Sequence, residues 1–111
     1  VTPVISPVSL GEDGLAYNVN ADHVAAGVAR AVEAARLVFV SNVPGVQVTG
    51  RTMRGLTVSQ IEGLIAEGHI TGGMIPKVRS ATEAVQSGVY QAVITDLAGL
   101  ARDSGTAIIR G

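Results

Sequence analysis

The 111-residue chain has no cysteine and no tryptophan, and its aromatic residues are one Phe and two Tyr. Without cysteine, disulfides and thiolate metal sites are both excluded. It has no cluster of Lys and Arg, no set of aromatics on which bases could stack, and a net charge of only −1. Nucleic-acid binding and attraction to anionic lipid are therefore not expected. No apolar run approaches the roughly 20 residues of a membrane span, and the first residues lack the charged-then-apolar layout of a secretory signal. The expectation is a cytoplasmic chain with no membrane association. The chain opens on the apolar residues 1–6 with no initiator Met, as a fragment or trimmed product would.

What is present points to a folded domain. Hydrophobic residues make up 47% and charged residues 15%, a balance that excludes a disordered or polyionic chain. The length suits one domain with a real core, and no repeat, linker or low-complexity tract divides it. Pro3-Val4-Ile5-Ser6-Pro7 reads as a short strand bracketed by prolines. Gly11-Glu12-Asp13-Gly14 is a turn between extended pieces at 8–10 and 15–17, which predicts a β-hairpin. Asn20 is placed to cap a helix over about 21–35, with an apolar stripe at Val24, Val28, Ala31, Val32 and Ala35.

Leu37-Val38-Phe39-Val40 is a continuous apolar run of the kind buried in a parallel sheet, and it ends in the turn Ser41-Asn42-Val43-Pro44-Gly45. Such a turn lies at a carboxyl end, where α/β proteins bind their ligands. Residues 46–52 form a looser extended or hairpin segment with Gly50 in its turn. Thr57 or Ser59 can cap a helix to about Glu67 that Gly68 stops. A second helix-like run spans 74–86, before Gly88, and a strand follows at 90–95. A short helix at 97–102 and a last strand at 107–109 close the chain. Strands and helices alternate over short connections. The predicted fold is therefore α/β, a three-layer αβα sandwich with a mainly parallel sheet.

The stretch Thr71-Gly72-Gly73-Met74-Ile75-Pro76-Lys77 carries the clearest chemistry. Two glycines at a helix start leave the first N–H groups accessible, and the positive end of the helix dipole suits a phosphate. Pro76 falls in the first turn, where its missing N–H removes no helical bond. Lys77 presents a cation about one turn in. The plainer alternative is a glycine-flexed loop before a helix with a surface lysine.

Asn18, Asn20 and Asp22 alternate and so share one side of an extended approach; paired amides can hold a carboxylate, and Asp22 can orient a lysine. Capping and turn chemistry explains the same residues without a ligand. The 41–45 turn either wraps a nucleotide through backbone groups or simply ends a strand. His23 and His69 lack partners at metal-ligand spacing, so no protein metal site is expected. Walker A and Gly-x-Gly-x-x-Gly patterns are absent, and no serine sits in a nucleophile elbow.

Taken together and in order, these pieces resemble one family. Tyr17-Asn18-Val19-Asn20-Ala21-Asp22, then residues 37–46, then Ile70-Thr71-Gly72-Gly73-Met74-Ile75-Pro76-Lys77-Val78 and a closing Gly105-Thr106 are similar to the C-terminal, nucleotide-binding half of the N-acetylglutamate kinases of the amino acid kinase family. The similarity runs over essentially the whole chain.

The resemblance implies MgATP-dependent phosphorylation of the γ-carboxylate of N-acetyl-L-glutamate, the second step of arginine biosynthesis. It implies that Lys77 stabilises the transferring phosphoryl group, that Asp22 positions the catalytic lysines, and that Asn18 holds the acetylglutamate with Asn20 beside it. Nucleotide contacts fall to Ser41, Asn42, Val43, Pro44, Gly45, Val46 and Gln47, and to His69, Ile70, Thr71, Gly72, Gly73 and Met74. Mg²⁺ travels with the ATP or ADP. Asn42 stands where the family commonly has aspartate. The family's N-terminal lobe, with its other catalytic lysine, glycine pair, substrate-gripping arginine and dimer contacts, has no counterpart in these residues. The resemblance thus implies an isolated chain without turnover and a full-length homo-oligomer. The rival readings are an aminoadipate-type kinase of lysine biosynthesis and a non-catalytic binding module of the same fold.

Overall fold

The structure, a computed structural model, describes residues 8–10, 16–18 and 21–111, with side chains from Val24 onward. In chain order its elements are β1 (Val8–Leu10), β2 (Ala16–Asn18), α1 (Ala21–Ala31), β3 (Arg36–Val40), β4 (Gln47–Val48), β5 (Arg51–Thr52), β6 (Gly55–Thr57), α2 (Val58–Ala66), α3 (Met74–Gln86), β7 (Gln91–Thr95), α4 (Leu97–Ala101) and β8 (Thr106–Ile109). The strand expected at residues 3–7, the turn at 11–14 and the Asn20 cap lie outside the described residues, as do the side chains of Asn18, Asp22 and His23.

The main sheet has the order β3-β7-β8-β6. β3 pairs parallel with β7, and β6 parallel with β8, while β7 and β8 run antiparallel. The sheet is thus mixed and mainly parallel, within the expected α/β class. The strand β6 was not expected: three residues with one buried apolar side chain, Leu56, make no pattern, and only pairing with β8 extends them. β1 pairs antiparallel with β2, as the expected hairpin requires, and the antiparallel pairing of β4 with β5 makes the 46–52 segment a hairpin rather than a looser extended piece.

Strand alternation gives the sheet two different faces. Leu37 and Phe39, Ala92 and Ile94, Leu56 and Ile108 point to one side, where they pack with Ile61 of α2 and Val78, Ala81 and Val85 of α3. On the other side Arg36, Gln91, Val93 and Ala107 border an open cleft of 780 Å³ with the turn after α4. α4 follows β7 directly, and a Cβ on Gly99 would collide with Thr95 Oγ1 at the end of that strand. Among the described residues, no helix is long and apolar enough to cross a membrane.

The helix ends explain one difference from the sequence reading. α2 and α3 stop at left-handed Gly68 and Gly88, as expected. In each the next residue reaches back: His69 N–H bonds to Leu64 O at 2.9 Å and Val89 N–H to Ala84 O at 3.1 Å, a Schellman closure. α1 ends the same way at Ala31 rather than Ala35, but with Glu33 as the left-handed residue (φ 55°) and Ala34 N–H bonded to Ala29 O at 2.8 Å. No glycine marks this stop. Packing of Ala34 against the Ala29, Ala84 and Val89 cluster accompanies it.

Candidate functional site

β3 and β7 run parallel, and each is entered from a helix through a short connection: α1 leads into β3 and α3 into β7. Both helices therefore run back along the sheet, and both begin at the end where β3 and β7 finish. They touch at Ala29 of α1 and Ala84 of α3. Seven residues, about two turns, back from each contact lie Asp22 and Lys77. The fold brings the backbones of these two positions to the same level of adjacent helix starts. Asn18, at the end of β2, precedes that start by a few residues.

The segment leaving β3 is held firmly. Ser41 N–H donates to Thr95 O at 2.7 Å, continuing the sheet by one residue. Val46 N–H donates to Thr106 Oγ1 at 2.8 Å, and Val46 O accepts from Met53 N–H at 2.8 Å. The Val46 side chain is wholly buried in the core. Asn42 is exposed, with Ser41 Oγ 3.4 Å from its Oδ1.

The segment entering α3 is held loosely. Ile70 anchors it in the core, and Gly72 is left-handed at φ 59°. Gly73 takes the cap position and offers no side-chain bond. Met74 and Ile75 N–H groups make long turn bonds to Thr71 O (3.3 Å) and Gly72 O (3.2 Å), so they are less free than a bare helix start suggests. The N–H groups of Gly72 and Gly73 find no acceptor among the described residues. Lys77, the chain's only lysine, follows half-buried, and no described carboxylate pairs with it. Its neighbours are otherwise engaged: Arg79 with Glu62 at 3.0 Å, and exposed His69 with Glu67 at 3.4 Å.

The two segments meet at a pocket of 190 Å³. Val43, Gly45 and Gln47 line it from the first, and His69, Ile70, Thr71 and Met74 from the second. Ser41, Asn42, Gly72 and Gly73 are not part of its lining. Pro44 faces the 780 Å³ cleft instead, and Val46 is committed to the core. That larger cleft carries Arg36, Arg54 and Arg102, with Arg36 already paired to Asp103 at 2.9 Å. It lies across the sheet from the pocket and from Lys77. Thr106 had no role in the sequence reading beyond closing a motif; its signal is a hydroxyl opening a strand that is otherwise apolar.

Parallel strands end beside a pocket, next to a glycine-opened helix start and a lysine, in an α/β fold with a mainly parallel sheet. The chain belongs to the amino acid kinase family, whose model matches residues 1–96. It is 58% identical over 110 residues to a Chloroflexus aurantiacus protein named acetylglutamate kinase, covering 98% of this chain and 43% of that protein. A Roseiflexus acetylglutamate kinase is likewise 58% identical over 109 residues, with 98% and 41% covered. The chain thus spans about two-fifths of the length of these relatives.

Among solved structures, a Streptococcus mutans protein superposes with a TM-score of 0.83 at 34% identity, over 98% of this chain and 43% of that one. A Giardia lamblia carbamate kinase bound to AMP-PNP gives 0.70 at 25% identity, over 90% and 40%.

Proposed function

We propose that these residues form the C-terminal, nucleotide-binding lobe of an acetylglutamate kinase, which phosphorylates the γ-carboxylate of N-acetyl-L-glutamate with ATP in arginine biosynthesis. The observation that carries the reading is the meeting of Val43, Gly45 and Gln47 with His69, Ile70, Thr71 and Met74 at one pocket, with Lys77 a turn along the helix that starts there. The names borne by the 58%-identical relatives support the substrate, and the AMP-PNP in the carbamate kinase supports the nucleotide.

In this reading the nucleotide sits between the two segments, and its phosphates approach the N–H groups of Gly72 and Gly73. A carboxylate oxygen of acetylglutamate attacks the γ-phosphorus as the bond to the β-phosphate oxygen breaks. The products are an acyl phosphate and ADP. Such a transfer asks the protein for positioning and positive charge around the equatorial oxygens, with little covalent chemistry. The Lys77 ammonium supplies that charge, Asp22 orients it, and Asn18 with Asn20 holds the acetylglutamate. Magnesium would arrive with the nucleotide and would neutralise charge on its phosphates; the described residues offer no cluster of ligands of their own for it. The remaining groups come from an N-terminal lobe in an oligomeric cytoplasmic protein, so the 111 residues alone do not turn over.

Two measurements test this. Full-length protein incubated with MgATP and either N-acetylglutamate or an aminoadipate-type acceptor, with hydroxylamine to trap acyl phosphate, should give product with acetylglutamate. Preference for the aminoadipate acceptor would move the reading to lysine biosynthesis, and no product with either would overturn it. Calorimetry of the 111-residue chain with MgADP then asks whether the lobe binds nucleotide by itself.

A further inference from the structure

We propose that Thr106 is a positioning residue for the nucleotide segment, acting through the backbone of Gly45 and Val46 rather than by touching a ligand. This rests on residues 41–47 being a nucleotide segment.

The Thr106 side chain is fully buried, yet its hydroxyl is satisfied on both sides. It accepts the Val46 N–H at 2.8 Å and donates to the carbonyl of Met53. Met53 N–H in turn bonds to Val46 O at 2.8 Å, which closes a three-residue ring of hydrogen bonds. One hydroxyl thus joins the start of β8 to the loop after β3 and to the end of the β4–β5 hairpin. Gly45 rests directly on it: a Cβ there would fall 2.6 Å from Thr106 Oγ1 and 3.1 Å from its backbone N. The residues flanking pinned Val46, Gly45 and Gln47, are among those that line the 190 Å³ pocket.

Gly105 makes the arrangement possible. Its φ is +135°, and a Cβ would stand 2.6 Å from Ile94 O, so only glycine lets β8 begin this close to β7. Thr106 then faces Ile94 in register. Replacing its hydroxyl by a methyl group would leave the buried Val46 N–H and the part-buried Met53 carbonyl without this partner. The loop would keep its length and composition but lose its registration over the pocket.

The test compares Thr106→Val, Thr106→Ser and Ile108→Val in the full-length protein. Ile108 is equally buried, on the same strand and face, and is absent from the hydrogen-bond ring. Thr106→Val should weaken MgADP binding and raise KM for ATP by roughly tenfold, the scale of one buried hydrogen bond lost, with a much smaller change in kcat. Thr106→Ser should restore both. Ile108→Val should lower stability without moving either. Amide exchange gives a readout on the wild type alone: Val46 N–H should exchange as slowly as the strand amides of β7, and exchange at loop rates would overturn the proposal. So would a folded Thr106→Val with wild-type affinity, or a loss matched by Ile108→Val. If the wild-type protein binds no MgADP, the nucleotide reading itself falls and takes this role with it. A binding wild type with indifferent variants removes Thr106 alone.

Discussion

Two helices lie next to each other in the sequence and begin in opposite ways. α2 starts at Thr57, whose hydroxyl accepts Gln60 N–H at 3.2 Å while Gln60 Oε1 accepts Thr57 N–H at 2.8 Å. This is a complete capping box, and it serves the helix alone. α3 starts at Gly73, with a left-handed glycine before it, no side-chain cap and long turn bonds. Its stability comes instead from the wholly buried row Val78, Ala81 and Val85. α2, tied to the core chiefly through Ile61, closes its own N–H groups. A helix held by the core can leave its start open, and that open start is the one beside the pocket and the lysine.

The largest expected effect is on the open start. Lys77→Ala should lower kcat of the full-length protein by about 10²–10³-fold, the usual cost of one transition-state charge donor, and leave the fold intact. Acyl-phosphate trapping measures it, and an unchanged rate would remove Lys77 from the chemistry.

Gly72→Ala comes next. Its φ of 59° leaves space for a methyl group but strains the backbone, so stability should fall by about 1–2 kcal/mol in urea denaturation. Thr57→Ala breaks the closed start: it should cost about 1 kcal/mol and leave MgADP affinity unchanged, which calorimetry checks.

The smallest effect sharpens the comparison most. Gly73→Ala has a compatible φ of −66° and open space around it. It should stabilise the fold by about 0.5 kcal/mol while weakening nucleotide binding by crowding the phosphate. Tighter binding together with the gain in stability would show that the open start has no ligand role.

Much of the frame was legible because it depends on neighbours in the chain. The apolar run before Ser41, the Thr57 cap and the glycine stops at 68 and 88 all act over a few residues. The site was legible as separate pieces: the glycine pair and lysine by their place at a helix start, the 41–47 turn by its place after a strand. Their meeting was implied only by the family resemblance and not by the pieces themselves, and neither the commitment of Val46 to the core nor that of Pro44 to the opposite cleft was legible at all. The α1 stop was missed because Glu33 takes a left-handed conformation that glycine normally signals. β6 was missed because its three residues gain a ladder only from β8, half the chain away.

By itself, then, the sequence determined where α2 and α3 begin and end, most of the strand runs, and which residues stand at an open helix start. Short-range sterics and local hydrogen bonds decide those things. Only the tertiary structure decided that β8 inserts antiparallel beside β7, that two distant loops share one pocket, and that the Thr106 hydroxyl pins one of them. Those depend on pairing between segments dozens of residues apart, where the energy lies in contacts that no local pattern records.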